Sequence, residues 1–87
     1  MAWVYILRGS SGRHYIGSTP DLEQRVAEHR AGRCHATRRL GETIELAASL
    51  ELAELAEARK LERELKAKKN PQLALLLLKR RRQGLNG

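Results

Sequence analysis

The sequence predicts a small α/β domain in which a mixed three-stranded sheet is flanked by helices, in the order ββαβαα. Two short runs rich in β-branched and aromatic residues stand close together near the start, separated by glycines and serines. A weaker run of this kind lies near the middle, and most of the later chain consists of strong helix formers. With 87 residues, the chain has room for one domain. We expect this domain over residues 1–83, followed by a frayed tail over residues 84–87.

The first two elements are predicted to form a β-hairpin. Residues 2–8 alternate as a strand, Gly9–Gly12 has turn chemistry, and residues 14–18 form the return strand. All the aromatic residues of the chain lie in this hairpin: Trp3, Tyr5 and Tyr15. Aromatic residues usually fill small cores, so their confinement to one hairpin indicates a functional site as well as packing. The register decides whether Tyr5 and Tyr15 share a face, and the sequence leaves it open.

A helix and a third strand are predicted next. Thr19-Pro20-Asp21 is typical of a helix start, with a hydroxyl cap, proline at the first helical position and an acid in the first turn. We expect this helix to run to about Arg30. Residues 43–49 are predicted to form the third strand, although Ala47 and Ala48 are poor strand formers.

Two further helices complete the predicted domain. Residues 51–69 favour a helix. Its apolar stripe is formed by Ala58, Leu61 and Leu65. Asn70-Pro71 is predicted to cap a third helix, in which residues 73–78 pack and the basic run 79–82 faces solvent.

The charge of the chain predicts a polyanionic partner. Seventeen Lys and Arg against ten acidic residues give a net charge of +7, and nucleic acid is the commonest partner of so basic a domain. Charge alone would also fit an anionic membrane surface or RNA. No membrane span is expected, because the longest apolar run has six residues against the roughly 20 required. The single Cys34 cannot form an internal disulfide, which favours a cytoplasmic location.

Several short motifs follow one another along the chain. They are Val4-Tyr5-Ile6-Leu7, His14-Tyr15-Ile16-Gly17-Ser18-Thr19, the segment 21–29, Gly32-Arg33, Thr37-Arg38 and the segment 58–66. In this order and spacing they resemble the GIY-YIG nuclease family, and they look closest to its small stand-alone, single-domain members. The resemblance covers roughly residues 2–78. The family's late asparagine has no clean match, because Asn70 is typical of a helix cap.

The resemblance implies an endonuclease that hydrolyses DNA with one Mg²⁺ or Mn²⁺, in DNA repair or recombination. It implies catalytic roles for Tyr5, Tyr15, Arg25, His29 and Glu62, with Glu62 as the metal ligand. Substrate contacts are expected from Gly17, Arg33, Thr37, Arg38, Arg59 and Lys66. We expect these side chains to line one surface. A homodimer or a separate targeting protein is a further expected partner.

These residue types suit phosphodiester hydrolysis. The reaction needs a water nucleophile, a group that takes its proton and positive charge beside the phosphate. One glutamate can anchor a divalent ion that gains another ligand from the substrate phosphate. A tyrosine hydroxyl can relay the proton, and the planar fork of Arg25 suits phosphate oxygens. The residues alone also allow a structural explanation, in which Glu62 only pairs with Lys66 one helical turn away.

Other functions remain open at this point. A non-catalytic nucleic-acid-binding module on the same fold would explain the charge equally well. A protein-interaction module that docks through the leucine-rich third helix would explain residues 73–78. A structural zinc site is not expected, because Cys34, His35 and His29 fall short of four ligands.

Overall fold

The computed structural model describes residues 1–31 and 43–82, and the expected tail lies outside them. The predicted element order ββαβαα is confirmed. The strands are β1 (Ala2–Gly9), β2 (His14–Thr19) and β3 (Ile44–Leu52), and the helices are α1 (Leu22–Arg30), α2 (Leu55–Ala67) and α3 (Pro71–Arg82). Within the described ranges, each helix is too short or too polar to cross a membrane.

The sheet is antiparallel throughout, so the α/β class is confirmed but the expected mixed sheet is wrong. The strand order is β2-β1-β3, and β1 pairs antiparallel with both neighbours. The physical reason is that β1 lies between the other two strands. The chain passes from β2 through α1 to the far side of β1, so β2 and β3 run in the same direction without pairing. This order leaves β2 at an outer edge of the sheet.

The hairpin register places both tyrosines on one face. Tyr5 pairs with Gly17, and Leu7 pairs with Tyr15. Because directly paired residues point to the same side of a sheet, Tyr5 and Tyr15 share a face. The turn contains Gly12 at a φ of 89°, which glycine adopts without steric cost.

The sheet carries a hydrophobic core on each face. On one face, α2 and α3 pack against the strands; this larger core comprises Ala2, Val4, Ile6, Ile16, Ala48, Ala58, Leu61, Leu65, Ala74 and Leu78. On the other face α1 supplies Val26, which packs with Tyr5 and Leu7. Burial on both faces explains why β1 has a continuous apolar run instead of alternating polar residues.

Two predicted element boundaries are corrected by the structure. The cap of α1 is Asp21, whose Oδ1 accepts a hydrogen bond from the backbone amide of Gln24 at 3.1 Å. Thr19 instead ends β2, and its hydroxyl accepts a hydrogen bond from the amide of Asp21 at 3.1 Å. Strand β3 runs on to Leu52, so α2 starts at Leu55, later than predicted.

The predicted cap of α3 is confirmed, whereas the packing of its leucines is only partly as expected. Asn70 Oδ1 accepts a hydrogen bond from the backbone amide of Leu73 at 3.1 Å. In the apolar run that follows, Ala74 and Leu78 are buried, while Leu73 and Leu76 are exposed. The reason is that a helix of period 3.6 turns only one stripe of a continuous apolar run toward the core.

Candidate active site

Three ring side chains form a cluster between the hairpin and α1. The ring centroids are 6.3 Å apart for Tyr5 and Tyr15, 5.8 Å for Tyr5 and His29, and 5.3 Å for Tyr15 and His29. Tyr5 and His29 are each 1% exposed, whereas Tyr15 is partly exposed. The Tyr5 hydroxyl lies 3.0 Å from His29 Nε2, within hydrogen-bonding distance. The fold therefore brings together three of the predicted catalytic residues, with Tyr15 nearest the solvent.

Gly17 lies beneath the two tyrosine rings. A Cβ atom at this position would lie 2.5 Å from the Tyr5 hydroxyl oxygen and 3.0 Å from a ring carbon of Tyr15. Because real Cβ atoms do not approach other atoms so closely, any larger residue would displace the Tyr5 ring. Gly17 is therefore required for the placement of the tyrosines, independently of any contact it makes with a substrate.

His29 is electrically neutral at physiological pH. Burial lowers its pKa below the usual 6.5, and the nearby Arg25 guanidinium lowers the pKa further, while Glu28 raises it. A neutral imidazole has one ring nitrogen that accepts a hydrogen bond. The Tyr5 hydroxyl can therefore donate to Nε2 when the proton of the neutral ring lies on Nδ1.

This lowered pKa predicts a loss of stability in mild acid. The unfolded chain protonates His29 near pH 6.5, while the folded chain resists protonation, so the free energy of unfolding falls as the pH drops below that value. We expect urea denaturation of the wild type to show this fall between about pH 7.5 and about pH 5.5. The fall should be smaller in His29→Gln than in the wild type. Equal pH dependence in the two proteins would contradict the assignment.

Glu62 projects from α2 and has a protein partner at each carboxylate oxygen. The Ser18 hydroxyl donates a hydrogen bond to Oε1. Lys66 Nζ lies 2.7 Å from Oε2, so the one-turn ion pair that the residues alone suggested is present. Ser18 was not predicted as a site residue. Its contact with Glu62 spans 44 positions, and a serine near a strand end carries no signal of such a contact.

The carboxylate and the tyrosines reach the outer edge of β2 from opposite faces of the sheet. Ser18, the partner of Glu62, alternates with Tyr15 and Gly17 along β2 and so faces α2. Lys66 connects the two sides, because its Nζ contacts Glu62 and also lies 5.7 Å from the centroid of the Tyr15 ring. The expectation that these residues line one surface is therefore wrong: the tyrosines and Glu62 lie on opposite faces of the sheet and approach each other only around the edge strand β2.

Two adjoining depressions flank this edge. The first, of about 350 Å³, is lined by Ser18, Arg59, Glu62, Arg63 and Lys66. The second, of about 300 Å³, contains Arg25 and shares Ser18 with the first. Arg25 is 40% exposed, and its Nη1 lies 3.1 Å from Glu28 Oε1. Lys66 thus contacts the Glu62 carboxylate, while Arg59 and Arg63 line the same depression, so a phosphate bound there would meet positive charge.

The remaining predicted substrate residues divide into two groups. Arg59 and Lys66 line the depression around Glu62. Arg63, which the sequence did not single out, lines it as well. The other group lies outside the described residues: Arg33, Thr37 and Arg38.

The donor atoms near Glu62 fit a divalent cation only in part. Among the described residues, there is no group of three or more His, Cys, Asp or Glu side chains able to hold a metal ion. Glu62 supplies a carboxylate and Ser18 a hydroxyl, and both are hard oxygen donors. Mg²⁺ is commonly held by one or two carboxylates, substrate phosphates and waters. The residues therefore fit an ion that shares its coordination with a bound phosphate.

Several known proteins are similar to this chain. A family model described as the GIY-YIG catalytic domain matches residues 1–74. A UPF0213 protein of Streptococcus pneumoniae is 35% identical over 71 residues, which cover 82% of this chain and 72% of that protein. A UPF0213 protein of Halobacterium salinarum is 50% identical over 32 residues, covering 37% of this chain and 42% of the relative. The solution NMR structure of a UPF0213 protein from Bacillus halodurans has a TM-score of 0.53 at 31% identity, covering 87% of this chain and 85% of that one.

Proposed function

The chain belongs to the family of GIY-YIG catalytic domains, and from this premise we propose that it is a metal-dependent DNA endonuclease. The family supports nuclease activity in general; hydrolysis in DNA repair or recombination, with one Mg²⁺ or Mn²⁺, is the finer part of the proposal. One observation carries it: Lys66 joins the Glu62 carboxylate to the Tyr15 ring at the edge of β2, beside a basic depression.

Glu62 is the proposed metal ligand. Its side chain is 20% exposed, so it is sheltered yet open to the depression. Ser18 fixes one carboxylate oxygen and thereby orients the other. A divalent cation bound there supplies positive charge next to the scissile phosphate.

Tyr5, Tyr15 and His29 are proposed to handle the attacking water and its proton. Tyr15, partly exposed, would position the water at the surface. The Tyr5 oxygen can accept a proton from that water as its own phenolic proton passes to His29 Nε2, 3.0 Å away. Because burial disfavours a charged imidazole, His29 would return the proton after bond cleavage.

The cationic side chains around the edge are proposed to hold DNA. Arg25 can exchange Glu28 for a phosphate oxygen, since a guanidinium fork binds phosphate well. Arg59 and Lys66 would extend this contact along the backbone. Gly17 and the three residues outside the described ranges complete the proposed substrate set. A homodimer or a targeting protein as further partner, and a cytoplasmic location, stay predictions.

Incubation of the wild-type protein with duplex, nicked, flap and junction DNA tests this function. We expect cleavage of at least one substrate in Mg²⁺ or Mn²⁺, abolished by a chelator, and DNA binding that weakens steeply with salt as counterions are released. Tight binding without cleavage of any substrate would favour the binding-module alternative. Failure to bind DNA, together with self-association through the exposed Leu73 and Leu76, would favour the interaction module.

A further inference from the structure

The two partners of Glu62 differ in how easily they can leave. Ser18 lies on a β-strand, and its short side chain is fixed by the backbone. Lys66 reaches Oε2 through a flexible four-carbon stem, and its side chain is 50% exposed. The lysine is therefore the partner that can be displaced without any change in the fold.

The Lys66 ammonium group also has a second interaction partner, the Tyr15 ring. Its Nζ already lies 5.7 Å from the centroid of the Tyr15 ring, within the range of a cation–π contact. The same side chain lines the depression that contains Arg59 and Arg63. An ammonium released from Glu62 would therefore remain over Tyr15, at the edge where we place the DNA phosphate.

We propose that Lys66 and the divalent cation compete for Oε2 of Glu62, and that this competition couples metal binding to DNA binding. The inference rests on the proposed function. Two cations at one carboxylate oxygen repel each other, so the Lys66 ammonium would leave Oε2 when an ion binds there. The released ammonium would then contact the DNA phosphate. Metal thus raises DNA affinity, and DNA raises metal affinity by the same factor.

Lys60 provides a matched control for this role. It is an exposed lysine on the same helix, in a different depression with Glu57, Glu64 and Arg81. Changing Lys60 or Lys66 to glutamine removes the same charge from α2 and has a similar effect on helix propensity. A difference between the two variants therefore reports on the position of Lys66, not on net charge.

The test is a Mn²⁺ titration of the DNA-free protein, in which the relaxation rate of water protons measures how much Mn²⁺ is bound. We expect Lys66→Gln to bind Mn²⁺ about fivefold more tightly than Lys60→Gln, since an ion pair of this kind contributes up to about that factor. A purely structural role for Lys66 would not tighten metal binding. In a second measurement with Ca²⁺, fluorescence anisotropy should show that the ion raises the DNA affinity of Lys60→Gln and raises that of Lys66→Gln less.

Equal Mn²⁺ affinity in the two variants, or weaker affinity in Lys66→Gln, would overturn the inference. The first titration needs neither DNA nor cleavage, so its failure would leave the nuclease proposal standing. Conversely, tighter Mn²⁺ binding by Lys66→Gln in a protein that cuts no DNA would reject the nuclease proposal and support the competition at Glu62.

Discussion

Tyr5→Phe is expected to lower the single-turnover rate of metal-dependent DNA cleavage by about 10²–10⁴-fold, the usual contribution of general acid–base catalysis. The substitution removes one oxygen atom and keeps the ring that packs against Tyr15 and Val26. The hydroxyl it removes is the one that lies 3.0 Å from His29 Nε2. DNA affinity should stay close to that of the wild type, because Tyr5 is 1% exposed.

Loss of a buried hydrogen bond also has a cost in stability, so this prediction needs a control. The net contribution of such a bond to the free energy of unfolding is about 0.5–1.5 kcal/mol. Ile6→Val is matched to it: Ile6 is fully buried on the opposite face of β1, and the change typically costs about 0.5–1.5 kcal/mol. We expect Ile6→Val to cut DNA as the wild type does. Equal losses of rate in both variants would assign the effect of Tyr5→Phe to folding.

Glu62→Gln is expected to abolish metal-dependent cleavage, with a loss on the order of 10³-fold or more, because the charge stabilisation supplied by a bound ion amounts to several kcal/mol. Glutamine keeps the length and helix propensity of glutamate, and its amide oxygen can still accept the hydrogen bond from Ser18. Only the negative charge is lost. DNA affinity should be equal or slightly higher, since one charge that repels phosphate is gone.

The elements of this fold could be predicted from local sequence, whereas their arrangement could not. The hairpin, the three helices and the cap at Asn70 follow from periodicity and turn chemistry. The sheet is antiparallel because β3 pairs with β1 and not with β2. No local sequence pattern predicts which strand β3 will pair with. Ala47 and Ala48 have weak strand propensity, and the pairing of β1 with β3 is irregular at these two residues.

The candidate site was predictable to the extent that it follows the family motif. Tyr5, Tyr15 and His29 lie together because the register and α1 place them on one face. Ser18 and the double contact of Lys66 depend instead on how α2 packs against the edge of β2. Such contacts join segments more than 40 positions apart, and a single sequence gives no indication of them.

Side-by-side nicking rates of the wild type, Glu62→Gln and Glu64→Gln, at saturating Mg²⁺ or Mn²⁺, test most directly whether this site is catalytic. Glu64 is an exposed glutamate on the same helix, away from the edge of β2. We predict that Glu64→Gln cuts as fast as the wild type, while Glu62→Gln binds the same DNA and leaves it intact. If Glu62→Gln cuts as fast as the wild type, the metal-dependent activity does not arise at Glu62 and the proposed site is wrong.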